Sequence, residues 1–162
     1  MKNLSVLLLS TLCCAASYAA QTTVTIHSTE NDKKEIGKIV FKDTNSGLLI
    51  VPSLSSLPPG LHGFHLHQHP NCGDHGMDAG AHFDPTNSKT HLGPYANGHL
   101  GDLPALYVNA DGSANTPTLA PRLKTTDLKG LSVMLHAGGD NYSDNPPLGG
   151  GGARIACGPV GQ

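Results

Sequence analysis

The stretch of sequence that decides the fold runs Leu61-His62-Gly63-Phe64-His65-Leu66-His67-Gln68. Strict alternation of apolar and polar residues predicts a β-strand, because successive side chains of a strand point to opposite faces. Phe64 and Leu66 are therefore expected on one face, and His65 and His67 on the other. Two imidazoles on one rigid face can hold one metal ion. The pair alone leaves open the alternative of polar residues on the outer face of a half-buried strand.

Short runs of the same kind recur along the chain on both sides of this stretch. They lie around Val24 and Ile26 and at Ile36–Phe41, Leu48–Val51, Ala105–Val108, Thr116–Leu119, Leu131–His136 and Arg154–Cys157. Turn signals such as Pro58-Pro59-Gly60 and Asp111-Gly112 separate them. About eight short strands at this spacing predict an all-β sandwich or barrel in a single domain.

Composition supports this fold class and limits the function. The chain of 162 residues has 20 Gly and 12 Pro, which favours turns and strands over long helices. It has no Trp and only 4% aromatic residues, so Val, Leu and Ile must build the core. Lys+Arg is 10 and Asp+Glu is 12, for a formal net charge of -2. That balance argues against a nucleic-acid partner, which would require a basic excess.

The N-terminus resembles a signal for export. Lys2 precedes an apolar run, Leu4–Leu12, and Ser17-Tyr18-Ala19 offers small residues for cleavage after Ala19, with cleavage after Ala20 as the near alternative. The run is well short of the roughly 20 residues that a membrane-spanning helix needs. We therefore expect residues 1–19 to be a cleaved signal peptide, residues 20–162 to be the mature domain in the periplasm, and no membrane association after cleavage.

Cysteine usage agrees with export. Cys13 and Cys14 lie within the predicted signal peptide, so the mature chain retains Cys72 and Cys157. Two cysteines in an oxidising compartment indicate one disulfide. Two unpaired buried thiols are the alternative. A bridge would fasten a loop to a C-terminal strand.

Two stretches, residues 71–101 and 138–152, lack strand periodicity and are predicted to be long loops. Loops of this length in a compact domain are usually functional or disordered. The clustering of histidines favours a functional loop over a disordered one, because eight of the ten histidines lie between His62 and His99. Four residues of types that commonly bind metals lie in the first loop or directly after it: His82, His91, His99 and Asp102.

Three imidazoles and one carboxylate form a complete tetrahedral ligand set for Zn²⁺. The competing interpretation is a solvated loop with incidental histidines, but a loop of about 30 residues needs something to order it. A bound metal would do so, because metal-binding energy becomes folding energy. His136 ends a predicted strand and is either a hydrogen-bonded strand-end residue or a further ligand beside His65 and His67. An imidazole-rich site suits Cu(II).

These residues together carry a resemblance to a known family. Gly63-Phe64-His65-Leu66-His67 resembles the first copper-ligand motif of the copper/zinc superoxide dismutases, bacterial periplasmic type. The segment 149–158, GGGGARIACG, resembles the family's C-terminal signature. Gly80–Pro85, Gly98–Leu103 and His136 fall between them in the family's order. The resemblance extends from Val24 to Val160 and implies an eight-stranded Greek-key sandwich or barrel with two long functional loops.

The resemblance also implies roles for individual residues. The implied copper ligands are His65, His67, His82 and His136, and the implied zinc ligands are His82, His91, His99 and Asp102. His82 occurs in both sets because its family counterpart bridges the two ions. Asp140 matches the carboxylate that joins a copper histidine to a zinc histidine, here His65 and His91. Arg154 matches the arginine that positions the substrate anion, and Cys72 and Cys157 match the family disulfide.

The implied reaction is dismutation of superoxide to dioxygen and hydrogen peroxide, with one copper and one zinc per subunit and with Arg154 and His82 as catalytic residues. Relatives occur as monomers and as dimers, so a homodimer remains open. The second loop contains Asp140 and Asp144 but no lysine, and Leu148 stands where several relatives carry threonine. Attraction of the anion must then depend on local charge, to which Lys89 could contribute.

Three alternative functions compete with this prediction. A non-catalytic copper or zinc carrier on the same scaffold would lack Arg154 or a copper histidine. A copper-only dismutase would lack the zinc set. A purely structural sandwich module would leave the clustered histidines without a purpose.

Overall fold

The structure is a computed structural model that describes residues 19–30 and 33–161. The predicted signal peptide, residues 1–19, lies outside this part of the chain except for Ala19. Within the described residues no helix is both long enough and apolar enough to cross a membrane. The same residues form nine strands: β1 Gln21–Ser28, β2 Glu35–Thr44, β3 Gly47–Leu54, β4 Gly60–His62, β5 Phe64–His67, β6 Leu106–Val108, β7 Thr118–Ala120, β8 Ser132–His136 and β9 Arg154–Pro159.

Seven of these strands form one antiparallel sheet in the order β5-β8-β9-β1-β2-β3-β7, and β4 pairs with β6 in a small second sheet. The sheet order brings the C-terminal strand β9 between β1 and β8, so strands distant in sequence become neighbours. The all-β prediction is confirmed. The two stretches predicted as loops contain only short 3₁₀ turns, at Asp74–Ala79 and Pro147–Gly150.

The run predicted as one strand over Leu61–Gln68 divides at Gly63. This residue donates its N–H to Gly138 O at 2.7 Å and accepts from His136 N at 2.8 Å. A Cβ at position 63 would lie 3.2 Å from His65 Cε1, so a side chain there would crowd the imidazole. The chain therefore leaves the small sheet at His62 and enters the large sheet at Phe64.

The core is built from Ile, Val and Leu with two phenylalanines, as the lack of Trp requires. Ile26, Ile39, Phe41, Ile50 and Phe64 are all fully buried. Full burial of such a side chain contributes about 1.5–3 kcal/mol relative to leaving it exposed. This core fixes the strands from which the metal-type ligands project.

β5 is the outermost strand of the large sheet, and the first loop covers its open edge. Leu66 N donates to Gly101 O and Phe83 N donates to Leu66 O, both at 2.8 Å. Both faces of β5 are also buried, and His65 and His67 have no exposed area. The alternative of polar residues on the outer face of a half-buried strand is therefore wrong for β5.

The predicted disulfide joins Cys72 to Cys157, with Cα atoms 5.8 Å apart and a sequence separation of 85. Cys72 lies in the first loop and Cys157 on β9. The bridge therefore fastens the start of the ligand-bearing loop to the centre of the sheet.

Candidate metal centre

Four imidazoles converge where β5 and β8 lie side by side. His65 and His67 project from β5, His136 ends β8, and His82 reaches them from the first loop through a bridge between residues 67 and 82. Their candidate ligand atoms all lie within 4.8 Å of one another, and all four residues are buried. The sequence-predicted copper set is therefore a spatial group.

Each of these rings has one nitrogen engaged and one nitrogen unengaged. The engaged contacts are His65 Nε2 with Asp140 Oδ2 at 2.6 Å, His67 Nδ1 with Gly80 O at 2.9 Å, His82 Nδ1 with Asp102 Oδ1 at 3.0 Å, and His136 Nδ1 with Gly152 O at 3.0 Å. The opposite nitrogen of every ring is buried without a hydrogen-bond partner. Because a carbonyl can only accept, the engaged nitrogen carries the proton in His67 and His136, and the other nitrogen presents a lone pair.

Electrostatics keep three of these rings neutral. Burial lowers the pKa of His65 to about 3, that of His67 to about 2 and that of His136 to about 4. The charged form of a buried histidine loses its hydration, and the neighbouring imidazoles and Arg154 add further cost to a proton. Neutral imidazole is the form that binds a metal ion. The group is thus prepared for a metal at neutral pH.

A second group surrounds the carboxylate of Asp102. Its Oδ1 lies 3.0 Å from His82 Nδ1, 3.0 Å from His91 Nδ1 and 3.4 Å from His99 Nδ1. Burial alone would raise the pKa of Asp102, but the hydrogen bond from His82 and the close imidazole of His91 outweigh it and hold that pKa well below its usual range. The predicted zinc residues therefore converge on one ionised carboxylate oxygen.

A group of ligand atoms that all lie within 4.8 Å of one another around Asp102 contains His65 in place of His99. His65 lies there because its ring packs against that of His82, with centroids 4.0 Å apart. Its Nε2 is already bonded to Asp140, so its one unengaged nitrogen is Nδ1, which belongs to the first group. His99 Nδ1, by contrast, is buried without a hydrogen-bond partner. Chemistry therefore favours His99 over His65 as the fourth ligand.

Asp140 connects the two groups. Its Oδ2 accepts from His65 Nε2 at 2.6 Å and its Oδ1 lies 2.8 Å from His91 Nε2. Burial alone would lower the pKa of His91, but the carboxylates of Asp102 and Asp140 raise it to about 9. A carboxylate behind a ligating imidazole fixes the orientation of the ring. The predicted pairing of Asp140 with His65 and His91 is present in the structure.

Arg154 lies beside the first group. It begins β9 directly opposite His136 in the strand register. Its guanidinium donates to Gly76 O at 2.6 Å and to Gly80 O at 2.7 Å in the first loop. These carbonyls hold the positive charge at a half-buried position close to the imidazoles.

The unpartnered donor atoms of the two groups show whether metal ions would fit there. In the described part of the chain, eight buried side-chain nitrogen or oxygen atoms have no hydrogen-bond partner. One is Thr118 Oγ1, and the other seven belong to the seven predicted ligands. An unpartnered buried polar atom costs about 1–3 kcal/mol. Imidazole nitrogens suit copper and zinc, and a mixed imidazole and carboxylate set suits zinc. The residues present therefore fit one ion of each metal.

Sequence reasoning missed two contacts that support the groups. Both carboxylate oxygens of Asp144 lie 3.1 Å from the main-chain N of His91. Arg122 donates to three carbonyls of the first loop. The acidic second loop offered a signal for Asp144, whereas no motif marks Arg122.

The remaining histidines stay apart from both groups. His69 and His75 are exposed loop residues. His62 is buried in β4, where its ring nitrogens lie 2.7 Å from His136 O and 2.7 Å from Pro58 O. It therefore supports the backbone of a predicted ligand rather than joining the cluster.

Comparisons with known proteins identify relatives of this chain. The family model "Copper/zinc superoxide dismutase" matches residues 35–160. A Cu-Zn superoxide dismutase of Legionella pneumophila is 52% identical over 161 residues, which cover 99% of each chain.

Two solved structures share the fold. The Cu/Zn superoxide dismutase from Brucella abortus superimposes with a TM-score of 0.83 at 44% identity, covering 88% of this chain and 100% of that chain. The monomeric copper, zinc superoxide dismutase from Salmonella enterica gives a TM-score of 0.75 at 45% identity, with the same coverage. The predicted Greek-key class is confirmed, and the chain belongs to the copper/zinc superoxide dismutase family.

Proposed function

We propose that this protein dismutates superoxide to dioxygen and hydrogen peroxide, using one copper and one zinc ion per subunit. The observation that carries the proposal is the set of four buried, unpartnered imidazole nitrogens beside a half-buried arginine. Family membership supplies the reaction class. The side chains supply a site for a redox metal and a positive charge for a small anion.

His65, His67, His82 and His136 would hold copper. Bound copper supplies the one-electron redox chemistry that lets one superoxide be oxidised and a second be reduced. The residues contribute an enclosed, neutral imidazole environment, because burial keeps the pKa values of His65, His67 and His136 at about 4 or below. Protons therefore do not compete for these nitrogens at neutral pH.

His82, His91, His99 and Asp102 would hold zinc, which has no redox chemistry and serves to order the site. His82 turns Nδ1 toward Asp102 and leaves Nε2 on the side of the copper histidines. One ring therefore spans both groups. A proton held at Nε2 would lie beside the reacting anion, which suits proton delivery to the peroxide product.

Arg154 would bind and orient superoxide. Its guanidinium stays charged at all relevant pH values and presents planar donors. The carbonyls of Gly76 and Gly80 fix it while leaving other N–H groups for an anion. Lys89 lines a cavity of about 300 Å³ together with His82 and His99, where it adds a second positive charge near the site.

The decisive experiment measures superoxide dismutation and metal content together. Purified protein is stripped of metal, then reloaded with copper, with zinc or with both. Activity that disappears with copper and returns on reloading supports the proposal. Full loading with one copper and one zinc per chain but no dismutation would instead identify a non-catalytic metal-binding protein on the same scaffold.

The location of the protein is a separate proposal. The charged start, apolar run and small residues within 1–19 support export and cleavage, which leave residues 20–162 in the periplasm. The disulfide supports an oxidising compartment. Intact mass and N-terminal sequence of protein from a periplasmic extract test this. An intact residue 1 in the cytoplasmic fraction would contradict it.

A further inference from the structure

Arg122 lies between β7 and a 3₁₀ turn at Thr125–Leu128, yet its side chain reaches into the first loop. Nε donates to Pro94 O at 3.1 Å, Nη1 to Gly98 O at 3.2 Å and Nη2 to His99 O at 2.5 Å. All three acceptors are main-chain carbonyls. The contact therefore fixes the path of the loop backbone rather than the position of any one side chain.

The carbonyl of His99 begins the turn that carries two of the proposed zinc ligands. It also accepts from Asp102 N at 3.4 Å, while His99 N donates to Thr90 O at 2.9 Å. Within this turn His99 Nδ1 lies 3.4 Å from Asp102 Oδ1. A contact that fixes the His99 carbonyl thus fixes an imidazole and a carboxylate relative to each other.

The segment that carries Arg122 is anchored at two residues that follow it. Leu123 is buried in the core. Thr125 donates from N and Oγ1 to the carboxylate of Asp43, at 2.7 Å and 3.0 Å. Ligand geometry is held well only by residues that are themselves held. Arg122 meets this condition because its neighbours tie it to the core and to β2.

We propose that Arg122 is a positioning residue for the zinc half of the site, holding the His99–Asp102 turn in its ligand arrangement. This inference rests on the proposed zinc site. The geometry of the guanidinium is essential, because three carbonyls spread over residues 94–99 need several donors in a planar fork. A lysine keeps the charge but offers one compact ammonium. Arg122→Lys therefore separates geometry from charge.

The test measures zinc affinity by competition with a chelator in the unmodified protein, Arg122→Lys and Arg122→Ala. Loss of a residue that orients metal ligands typically lowers metal affinity by about 10-fold to 100-fold, and we expect this in both variants. The visible absorption bands of Co²⁺ placed in the zinc site should shift, because they report ligand geometry. The copper absorption spectrum should change little.

Ile39→Val is the matched control for lost stability. Ile39 is buried in β2, and its apolar side chain has no donor for a hydrogen bond to a loop carbonyl. This variant should melt at a lower temperature with unaltered zinc affinity and Co²⁺ bands. If Arg122→Ala does not fold, Arg122→Lys carries the test.

Unchanged zinc affinity and Co²⁺ bands in Arg122→Lys would overturn the inference, as would a change no larger than that of Ile39→Val. Either result would leave zinc binding by the unmodified protein, and hence the proposed function, intact. Failure of the unmodified protein to bind zinc would reject the zinc site itself and this role with it.

Discussion

His67 and Arg154 donate hydrogen bonds to the same atom, the carbonyl oxygen of Gly80. The distances are 2.9 Å from His67 Nδ1 and 2.7 Å from Arg154 Nη2. A carbonyl oxygen has two lone pairs, so it can accept both. One backbone atom thereby sets the orientation of a proposed copper ligand and of the proposed anion-binding residue. Any displacement of residue 80 must affect both.

Gly80→Ala tests this coupling. Gly80 has φ +76, and a Cβ there would lie 2.7 Å from Gln68 Nε2 and 2.7 Å from His69 Cδ2. Relief of these contacts requires the exposed side chains of Gln68 and His69 to move or residue 80 to shift, and a shift of residue 80 displaces its carbonyl. We expect copper affinity and dismutation activity to fall together, measured by copper titration and by assay of reloaded protein.

Gly130→Ala is the control for backbone strain alone. Gly130 has φ +79 with nothing within 4 Å of its added Cβ. A left-handed residue with a side chain costs about 1–2 kcal/mol, so this variant should lose stability but keep activity. Equal activity per copper in the Gly80 and Gly130 variants would show that the shared carbonyl is unimportant.

The position of His82 between the two groups predicts unequal effects of histidine substitutions. His82→Ala should disturb both metals, because Nε2 faces the copper histidines while Nδ1 faces Asp102. His99→Ala should chiefly lower zinc content. Copper absorption spectra and zinc content of the two variants provide the measurement. An unchanged copper spectrum and zinc content in His82→Ala would rule out the shared ring.

Asp140 and Asp144 both contact His91, but at different atoms, and this predicts different effects. Asp140 contacts the ring and also His65, so Asp140→Asn should lower zinc affinity by about 10-fold to 100-fold and alter the copper spectrum. Asp144 contacts only the main-chain N of His91 among the proposed ligands.

Asp144→Asn is therefore expected to lower zinc affinity less than Asp140→Asn and to leave the copper spectrum unchanged. Chelator competition and visible absorption on the same samples compare the two variants. A larger loss of zinc affinity in Asp144→Asn would mean that the main-chain contact to His91 matters more than the orientation of its ring.

The disulfide predicts a large stability effect, because its sequence separation is 85. In the chain-entropy model, closing a loop of that size contributes about 4–5 kcal/mol. The double variant Cys72→Ser and Cys157→Ser should lose this from its free energy of unfolding, measured in urea with both proteins metal-loaded. A loss below about 1 kcal/mol would show that the unfolded chain is not restrained as the chain-entropy model assumes.

Much of the fold was predictable because its signals are local. Alternation of apolar and polar residues predicted β5. Short apolar runs predicted β8 and β9, with ends within a few residues of the observed ones. The division of the predicted strand at Gly63 was not predictable, since it depends on contacts with Gly138 and His136 that only the folded chain brings together.

The spatial grouping of the proposed ligands was predictable for a different reason. The residue types histidine and aspartate indicate metal binding, and the family resemblance grouped them across two strands and the first loop. Arg122 gave no such signal, because it binds the carbonyls of Pro94, Gly98 and His99, and every residue has a carbonyl. Contacts to the backbone leave no pattern in side-chain sequence.

The first loop, which bears most of the proposed zinc ligands, also pairs with the outer edge of β5 through Leu66, Phe83 and Gly101. An uncovered edge strand is a template for strands of other molecules. A loop that depends on metal for its order would release that edge when metal is lost. Metal-depleted protein should then scatter light as β-rich aggregates form, and zinc should suppress the scattering. The ions would therefore keep neighbouring copies of the chain from joining edge to edge.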